Sequence, residues 1–230
     1  MKFIHKKHIF FDLDHTLWDF EKNSKLAYIQ LFSDLNLSID IDLFLKLYVP
    51  VNFAFWKLYR EEKITQDELR YQRLKSVFDD MGFDASDDLI NEISHRYIEL
   101  LPTNSFLYPG AIDLLDFLYP NYNLHIITNG FADVQNRKLL SSGLNKYFKT
   151  ITNSEDAGVK KPNPLIFKKA LSSSKALPQE SLMIGDSLEA DILGAMQLNI
   201  DTIFFNEHQM LHEVDTVEVS NLNDIFLYFE

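Results

Sequence analysis

Asp12 and Asp14 stand two residues apart in Asp12-Leu13-Asp14-His15-Thr16, directly after the apolar run Ile9-Phe10-Phe11. Two carboxylates at the end of a buried strand repel each other and lose hydration, so the arrangement is unfavourable unless a cation answers it. A hard divalent ion such as Mg²⁺ suits that donor set. Side chains alternate along a strand, but where the strand breaks into a turn both carboxylates can face one pocket. Three more polar clusters follow downstream: Thr128-Asn129-Gly130, Lys161-Pro162, and Gly185-Asp186-Ser187 with Asp191. Together they supply a carboxylate pair, a hydroxyl beside a glycine turn, a cation and further carboxylates. That inventory suits phosphoryl transfer, where positioning and electrostatics do nearly all the work.

Each cluster also has a plainer reading. Asn129-Gly130 is a common turn pair, and Lys160-Lys161 could be a solvated pair. Asp191 could be a first-turn helix carboxylate favoured by the helix dipole. Pro162 favours Lys161 over Lys160, because the residue before a proline is pushed towards extended backbone. The seven histidines show no metal-ligand spacing, which leaves them structural or surface roles.

The elements that must position these residues are legible as short β-rich runs separated by helical patterns. His8–Phe11, Leu124–Thr128, Thr150–Thr152, Leu182–Ile184 and Thr202–Phe205 each read as a buried strand, and Val217–Val219 as a short last one. Such runs lack alternation because both faces are covered, the mark of a parallel sheet in an α/β fold. Helices are expected over Ala111–Leu118, Ala132–Ser142, Pro164–Ser172, Glu189–Leu198 and Asn221–Phe229, with Gly194 as a packing position. All four clusters then fall at carboxyl ends of strands, where an open parallel sheet binds its ligands.

One interval breaks this rhythm: residues 12–123 separate the first two strands, and roughly ninety of them are far more than a crossover needs. Their pattern is helical. Thr65-Gln66-Asp67-Glu68 forms a capping box, and Tyr71, Leu74, Val77, Phe78 and Met81 make one apolar stripe before Gly82. Residues 18–105 therefore read as an inserted helical module, and residues 1–17 with 106–230 as the sheet domain.

Bulk composition narrows the function classes. The chain has 230 residues, 46% of them hydrophobic, enough for a substantial core. A net charge of −12 argues against a nucleic-acid polymer or an anionic membrane as partner, but leaves room for a small phosphorylated substrate beside a local cation. The absence of cysteine excludes disulfides and thiol chemistry. With no secretory or membrane-spanning pattern, the expected location is the cytoplasm. Oligomeric state is not legible.

The order D-x-D-x-T, T-N-G, K-P and G-D-S-x-x-x-D resembles the four motifs of the haloacid dehalogenase superfamily, across Lys7–Asp14 and Phe106 to about Asn206. That resemblance implies a Rossmann-like parallel sheet sandwiched by helices, with an inserted α-helical cap of the C1 kind. It implies Asp12 as nucleophile towards phosphorus and Asp14 as general acid and base. Mg²⁺ would be held by Asp12, the Asp14 backbone carbonyl and Asp186. Thr128, Asn129, Gly130 and Lys161 would bind the phosphoryl group, and Asp191 would orient Lys161 or the metal's outer shell. By resemblance, dehalogenases lack the second aspartate, so Asp14 points to a phosphatase. His15 stands where many relatives carry glycine; it adjusts the turn or touches the leaving group.

Specificity is expected from the helical insert. Asn52, Trp56 and Tyr59 share one helix face, and Arg70 and Arg73 lie one turn apart on the next helix. On the plain reading the aromatics are module core and the arginines surface; on the functional one, an aromatic and an amide grip a nucleobase. The run Val51-Asn52, Trp56, Tyr59, Ile64, Leu69-Arg70 and Arg73 is similar to the pyrimidine 5′-nucleotidase subfamily. So are Ile127-Thr128-Asn129-Gly130-Phe131, Val134-Gln135 and Ser142-Gly143-Leu144. The expected substrate is thus a nucleoside monophosphate. The alternatives are a phosphoglycolate or sugar-phosphate phosphatase, a phosphosugar mutase, or, in another class, a phospho-accepting receiver-like module. Phosphonate hydrolysis would need a Schiff-base lysine, and neither Lys57 nor Lys63 is marked as one.

Overall fold

In the computed structural model, which describes residues 2–229, six parallel strands form one sheet. They are β1 (His8–Phe11), β2 (Asn123–Thr128), β3 (Phe148–Asn153), β4 (Ser181–Gly185), β5 (Asp201–Phe205) and β6 (Val217–Val219), in the order β3-β2-β1-β4-β5-β6. All six expected strands are present. Ile9, Phe10 and Phe11 of β1 and Leu182, Met183 and Ile184 of β4 are fully buried, which is why these runs carry no alternation. From β1 the chain goes to β2 on one side and later returns to β4 on the other, opening a crevice at their carboxyl ends. Register sets the chemistry: Phe11 pairs with Ile126 and Ile184, so the residues just beyond all three strands emerge side by side.

The chain divides into two compact units, residues 1–20 with 105–230, and residues 21–104. The second is helical: α1 (Phe20–Asp34), α2 (Ile41–Arg60), α3 (Gln66–Asp80) and α4 (Asp87–Leu100). Asp40, Thr65 and Ser86 cap α2, α3 and α4, and Thr65 with Glu68 closes the expected capping box. Its core is aromatic: Tyr28 stacks on Tyr97 at 4.3 Å and meets Phe44 and Tyr48 edge-on. The division falls a few residues inside the expected insert. Trp18 is fully buried and bridges to Leu107, and the Asp19 N–H donates to the Phe106 carbonyl, so 18–20 run with the sheet unit.

Helices α5 (Ala111–Leu118), α6 (Ala132–Ser141), α7 (Ser154–Ala157) and α8 (Pro164–Ser174) belong to the sheet unit. Phe10 and Met183 of the sheet share one core cluster with Ile166, Phe167 and Ala170 of α8. A methyl group on Gly194 would lie 2.7 Å from the Phe167 ring, so the packing role expected there holds. Two elements differ from expectation. Glu189–Leu198 is not one regular helix but a π-helical turn, Leu188–Leu193, running into Gly194–Met196. Both the Asp191 and Ile192 amides bond to the Ser187 carbonyl, and this widened turn sits where Asp191 folds back onto Ser187. The closing segment, Leu222–Tyr228, is 3₁₀ rather than α.

Candidate active site

β1 ends in Asp12, whose N–H still donates to the Ile184 carbonyl, continuing the ladder for one more residue. The carboxylate is 7% exposed. Lys161, 2% exposed, reaches it from the loop between α7 and α8. Its ammonium lies 2.5 Å from Asp12 Oδ1 and 2.7 Å from Asp191 Oδ1, and donates to the Ile127 carbonyl at 2.7 Å. Two of its three donors are therefore bonded, and Asp191 is held as an ion pair. Asn129 fixes the same residue through its backbone: Asn129 Nδ2 donates to the Lys161 carbonyl, and the Lys161 N–H donates to Asn129 Oδ1.

Asp191 forms an ion pair with Lys161 through Oδ1 and accepts from the Ser187 N–H on Oδ2. Gly185 makes room for it, because a Cβ there would lie 2.3 Å from that carboxylate. Asp186 is half-buried and accepts from the Thr16 hydroxyl at 3.2 Å. Asp12, Asp186 and Asp191 present oxygens within 4.8 Å of one another. Burial pushes the Asp12 carboxyl up to about 7; Lys161 opposes this, while Asp191 and Asp14 reinforce it. Asp186 is raised well above the usual carboxylate range by burial, then by Asp12 and Asp191. Burial alone would discharge Lys161, but Asp12 and Asp191 outweigh it and hold the ammonium charged. One lysine against three carboxylates leaves negative charge in excess, and the donors are all hard oxygens. Those residues fit Mg²⁺.

Asp14 faces a second cation. Lys138 on α6 lies 2.6 Å from Asp14 Oδ1, and Gln135, one turn earlier, donates to Asp14 Oδ2 at 2.9 Å. Gln135 Nε2 also donates to Thr128 Oγ1 at 2.6 Å, and that oxygen takes the Gly130 N–H as well. Burial lowers the Lys138 pKa, with Asp14 pulling the other way. Sequence reasoning had not singled out Lys138. The available signal was a glutamine and a lysine three residues apart on the helix face that buries Val134 and Leu139.

The structure thus gathers Asp12, Asp14, Thr128, Asn129, Gly130, Lys161, Asp186 and Asp191 around the ends of β1, β2 and β4. His15 holds a left-handed backbone, φ +62°, which gives glycine a physical reason at that place. Burial pushes its imidazole down to about 4, so the ring is neutral, and it packs on Phe20 at 4.9 Å. Asn52 and Trp56 lie on α2 of the helical unit. Trp56 is half-buried against Tyr59, at 5.7 Å between rings. Asn52 is buried, its Oδ1 accepting from Arg73 Nη1 at 2.8 Å and from the Tyr48 hydroxyl at 3.4 Å. The surface reading of Arg73 is corrected here: it is 4% exposed, beneath the Tyr48 and Tyr97 rings.

Comparison with known proteins gives a consistent picture. Residues 6–199 match the family described as haloacid dehalogenase-like hydrolase. The chain is 35% identical to the pyrimidine 5′-nucleotidase PynA of Streptococcus pneumoniae, over 95% of its own length and 93% of that protein's. It is 30% identical to a glyceraldehyde 3-phosphate phosphatase of Methanothermobacter thermautotrophicus, over 94% and 93%. The crystal structure of the HAD-hydrolase YfnB of Bacillus subtilis, bound to magnesium, superposes with a TM-score of 0.88 at 30% identity, covering 97% of this chain and 98% of that one.

Proposed function

The chain belongs to the haloacid dehalogenase-like hydrolases, and from that premise we propose a magnesium-dependent phosphatase that acts through a phosphorylated Asp12 on a pyrimidine nucleoside 5′-monophosphate. The observation that carries the phosphatase reading is the pair Asp12 and Asp14, each on its own buried lysine. A leaving halide needs no proton, whereas a leaving alkoxide does, and Asp14 is the group placed to give it.

Asp12 attacks phosphorus in line. Its oxygen forms the new P–O bond as the ester P–O bond breaks, and the departing oxygen takes the proton from Asp14. Asp14, now a carboxylate, then takes a proton from water as the water oxygen bonds to phosphorus, releasing inorganic phosphate and the Asp12 carboxylate. The Thr128 hydroxyl and the backbone N–H of Asn129 hold the phosphoryl oxygens, Gly130 shapes the turn through its N–H on the Thr128 hydroxyl, and the Lys161 ammonium beside Asp12 offsets the phosphoryl charge. Asp12, Asp186 and the Asp14 carbonyl would hold Mg²⁺, which supplies charge neutralisation between nucleophile and phosphate. Asp191 pairs with the Lys161 ammonium through one oxygen and holds the Ser187 N–H with the other, which assigns it to orienting Lys161.

The helical unit acts as the cap that selects the substrate. Asn52 and Trp56 are assigned to the nucleobase: an indole to stack, and an amide whose oxygen is engaged by Arg73, leaving N–H donors for a base carbonyl. The archaeal relative supports a second reading, a triose phosphate as substrate.

The test is phosphate release with Mg²⁺ from UMP, dUMP, dTMP, glyceraldehyde 3-phosphate and phosphoglycolate, with Asp12→Asn as blank. Preference for the nucleotides, lost in the blank, supports the reading. Preference for glyceraldehyde 3-phosphate or phosphoglycolate sinks the nucleobase assignment and leaves the chemistry standing. Turnover surviving in Asp12→Asn would sink the nucleophile.

A further inference from the structure

We propose that Lys138 and Gln135 are positioning residues for Asp14, holding its carboxyl group where the leaving ester oxygen must collect a proton. The inference rests on the phosphatase reading but not on the identity of the alcohol. A general acid works only with an oxygen within about 3 Å of the atom it protonates. Asp14 lies just past the end of β1 with its side chain 20% exposed, and the bonds that fix its carboxyl group come from α6. Lys138 takes Oδ1 at 2.6 Å and Gln135 takes Oδ2 at 2.9 Å. Each oxygen keeps a second lone pair for the proton it carries. Gln135 also bonds the Thr128 hydroxyl, so the acid and the phosphate-holding hydroxyl are set by one side chain.

A packing role alone does not account for a lysine here. Its side chain is 3% exposed, and its ammonium lies 4.3 Å over the Trp18 ring and 5.2 Å from that of Phe20. An apolar residue would fill that space without the cost of dehydrating a charge. Nor is Asp14 drawn into the Asp12, Asp186 and Asp191 carboxylate cluster; both its oxygens are spoken for by α6.

The prediction separates leaving groups. The alkoxide of a nucleotide or sugar phosphate needs the Asp14 proton to leave, whereas the nitrophenolate of p-nitrophenyl phosphate leaves as a stable anion. The ratio kcat/KM reports steps up to departure of the alcohol, so it isolates this half of the reaction. Lys138→Met is expected to lower kcat/KM on the better of UMP and glyceraldehyde 3-phosphate by roughly 100-fold, and on p-nitrophenyl phosphate by less than about fivefold. Lys138→Arg, which keeps the donor, should recover part of the loss on the alkyl ester. In an Asp14→Asn background, Lys138→Met should cost nothing further on that ester, because it acts through Asp14.

Equal losses on the two esters, no loss on either, or additive losses in the double variant would overturn the proposal. If Lys138→Met does not fold, the same contrast is read from Lys138→Arg: a loss confined to the alkyl ester supports positioning, and equal losses overturn it. A wild-type protein inert on all these esters would overturn the proposed function, and this inference with it.

Discussion

Buried cations appear in both units, and they are answered in opposite ways. At the carboxyl end of the sheet, Lys161 meets Asp12 and Asp191, and Lys138 meets Asp14. In the helical unit, Arg73 meets two tyrosine rings and the Asn52 amide; among the described residues no carboxylate pairs with it. The first arrangement concentrates more negative charge than it neutralises, which is costly in a resting fold and useful where a cation and a phosphate must be bound. The second spreads a charge over neutral dipoles and aromatic faces, which suits a module that needs shape. Sites that make and break bonds carry electrostatic strain that regions which only bind or support avoid.

Removing the cation in each place is the most direct way to break that contrast. Lys161→Met strands the Asp12, Asp186 and Asp191 cluster, so without Mg²⁺ it should cost about 3–5 kcal/mol in urea unfolding and abolish turnover. Asp12→Asn relieves the same cluster and should raise the melting temperature while removing activity. If Lys161→Met were no less stable than the wild type, the excess negative charge would not be a real cost.

A smaller effect comes from the His8–His125 pair near the amino end of β1 and β2, which shows that charge can also be kept out of the sheet. His8 Nδ1 and His125 Nε2 lie 3.0 Å apart, and His125 Nδ1 bonds the Thr150 hydroxyl. Burial lowers both, His125 to about 4; His8, Lys149, Lys7 and Glu180 are the charged or titratable groups facing the pair. Each histidine binds protons more readily unfolded than folded. The stability it contributes is therefore complete above about pH 6.5 and is lost as pH falls towards 4. Unfolding midpoints across that window should fall by up to about 3 kcal/mol more in the wild type than in His125→Gln. A flat difference would place the imidazole in water.

Arg73→Met leaves no stranded carboxylate, so its expected cost is only about 2 kcal/mol, from the lost Asn52 bond and ring contacts. A loss as large as that of Lys161→Met would erase the distinction between the two units. The smallest change is His15→Gly. It relieves a left-handed backbone but forfeits the Phe20 contact, so the melting temperature should move by no more than roughly 1 kcal/mol in equivalent stability.

The chemistry-bearing residues were readable because they lie in short contiguous motifs at strand ends. Each motif couples a local backbone break to a fixed set of polar types, and apolar runs before them mark the strands. The capping box at Thr65 and Glu68 was readable for the same reason, since all its parts lie within four residues. The π-helical turn at Leu188–Leu193 was not, because it coincides with a bond from Asp191 back to Ser187 and an ion pair with Lys161, thirty residues away. Arg73 reads as surface in the sequence because its partners come from two other helices, α2 and α4. Lys138 leaves no local signal as a site residue, because its partner Asp14 lies 124 positions away, on the turn after β1. Composition and local pattern thus determined the sheet, its helices and the carboxylate-rich rim. The partners of Lys138 and Arg73 emerged only in three dimensions, because a contact between distant residues leaves no periodic trace in the chain and is set by how the elements pack.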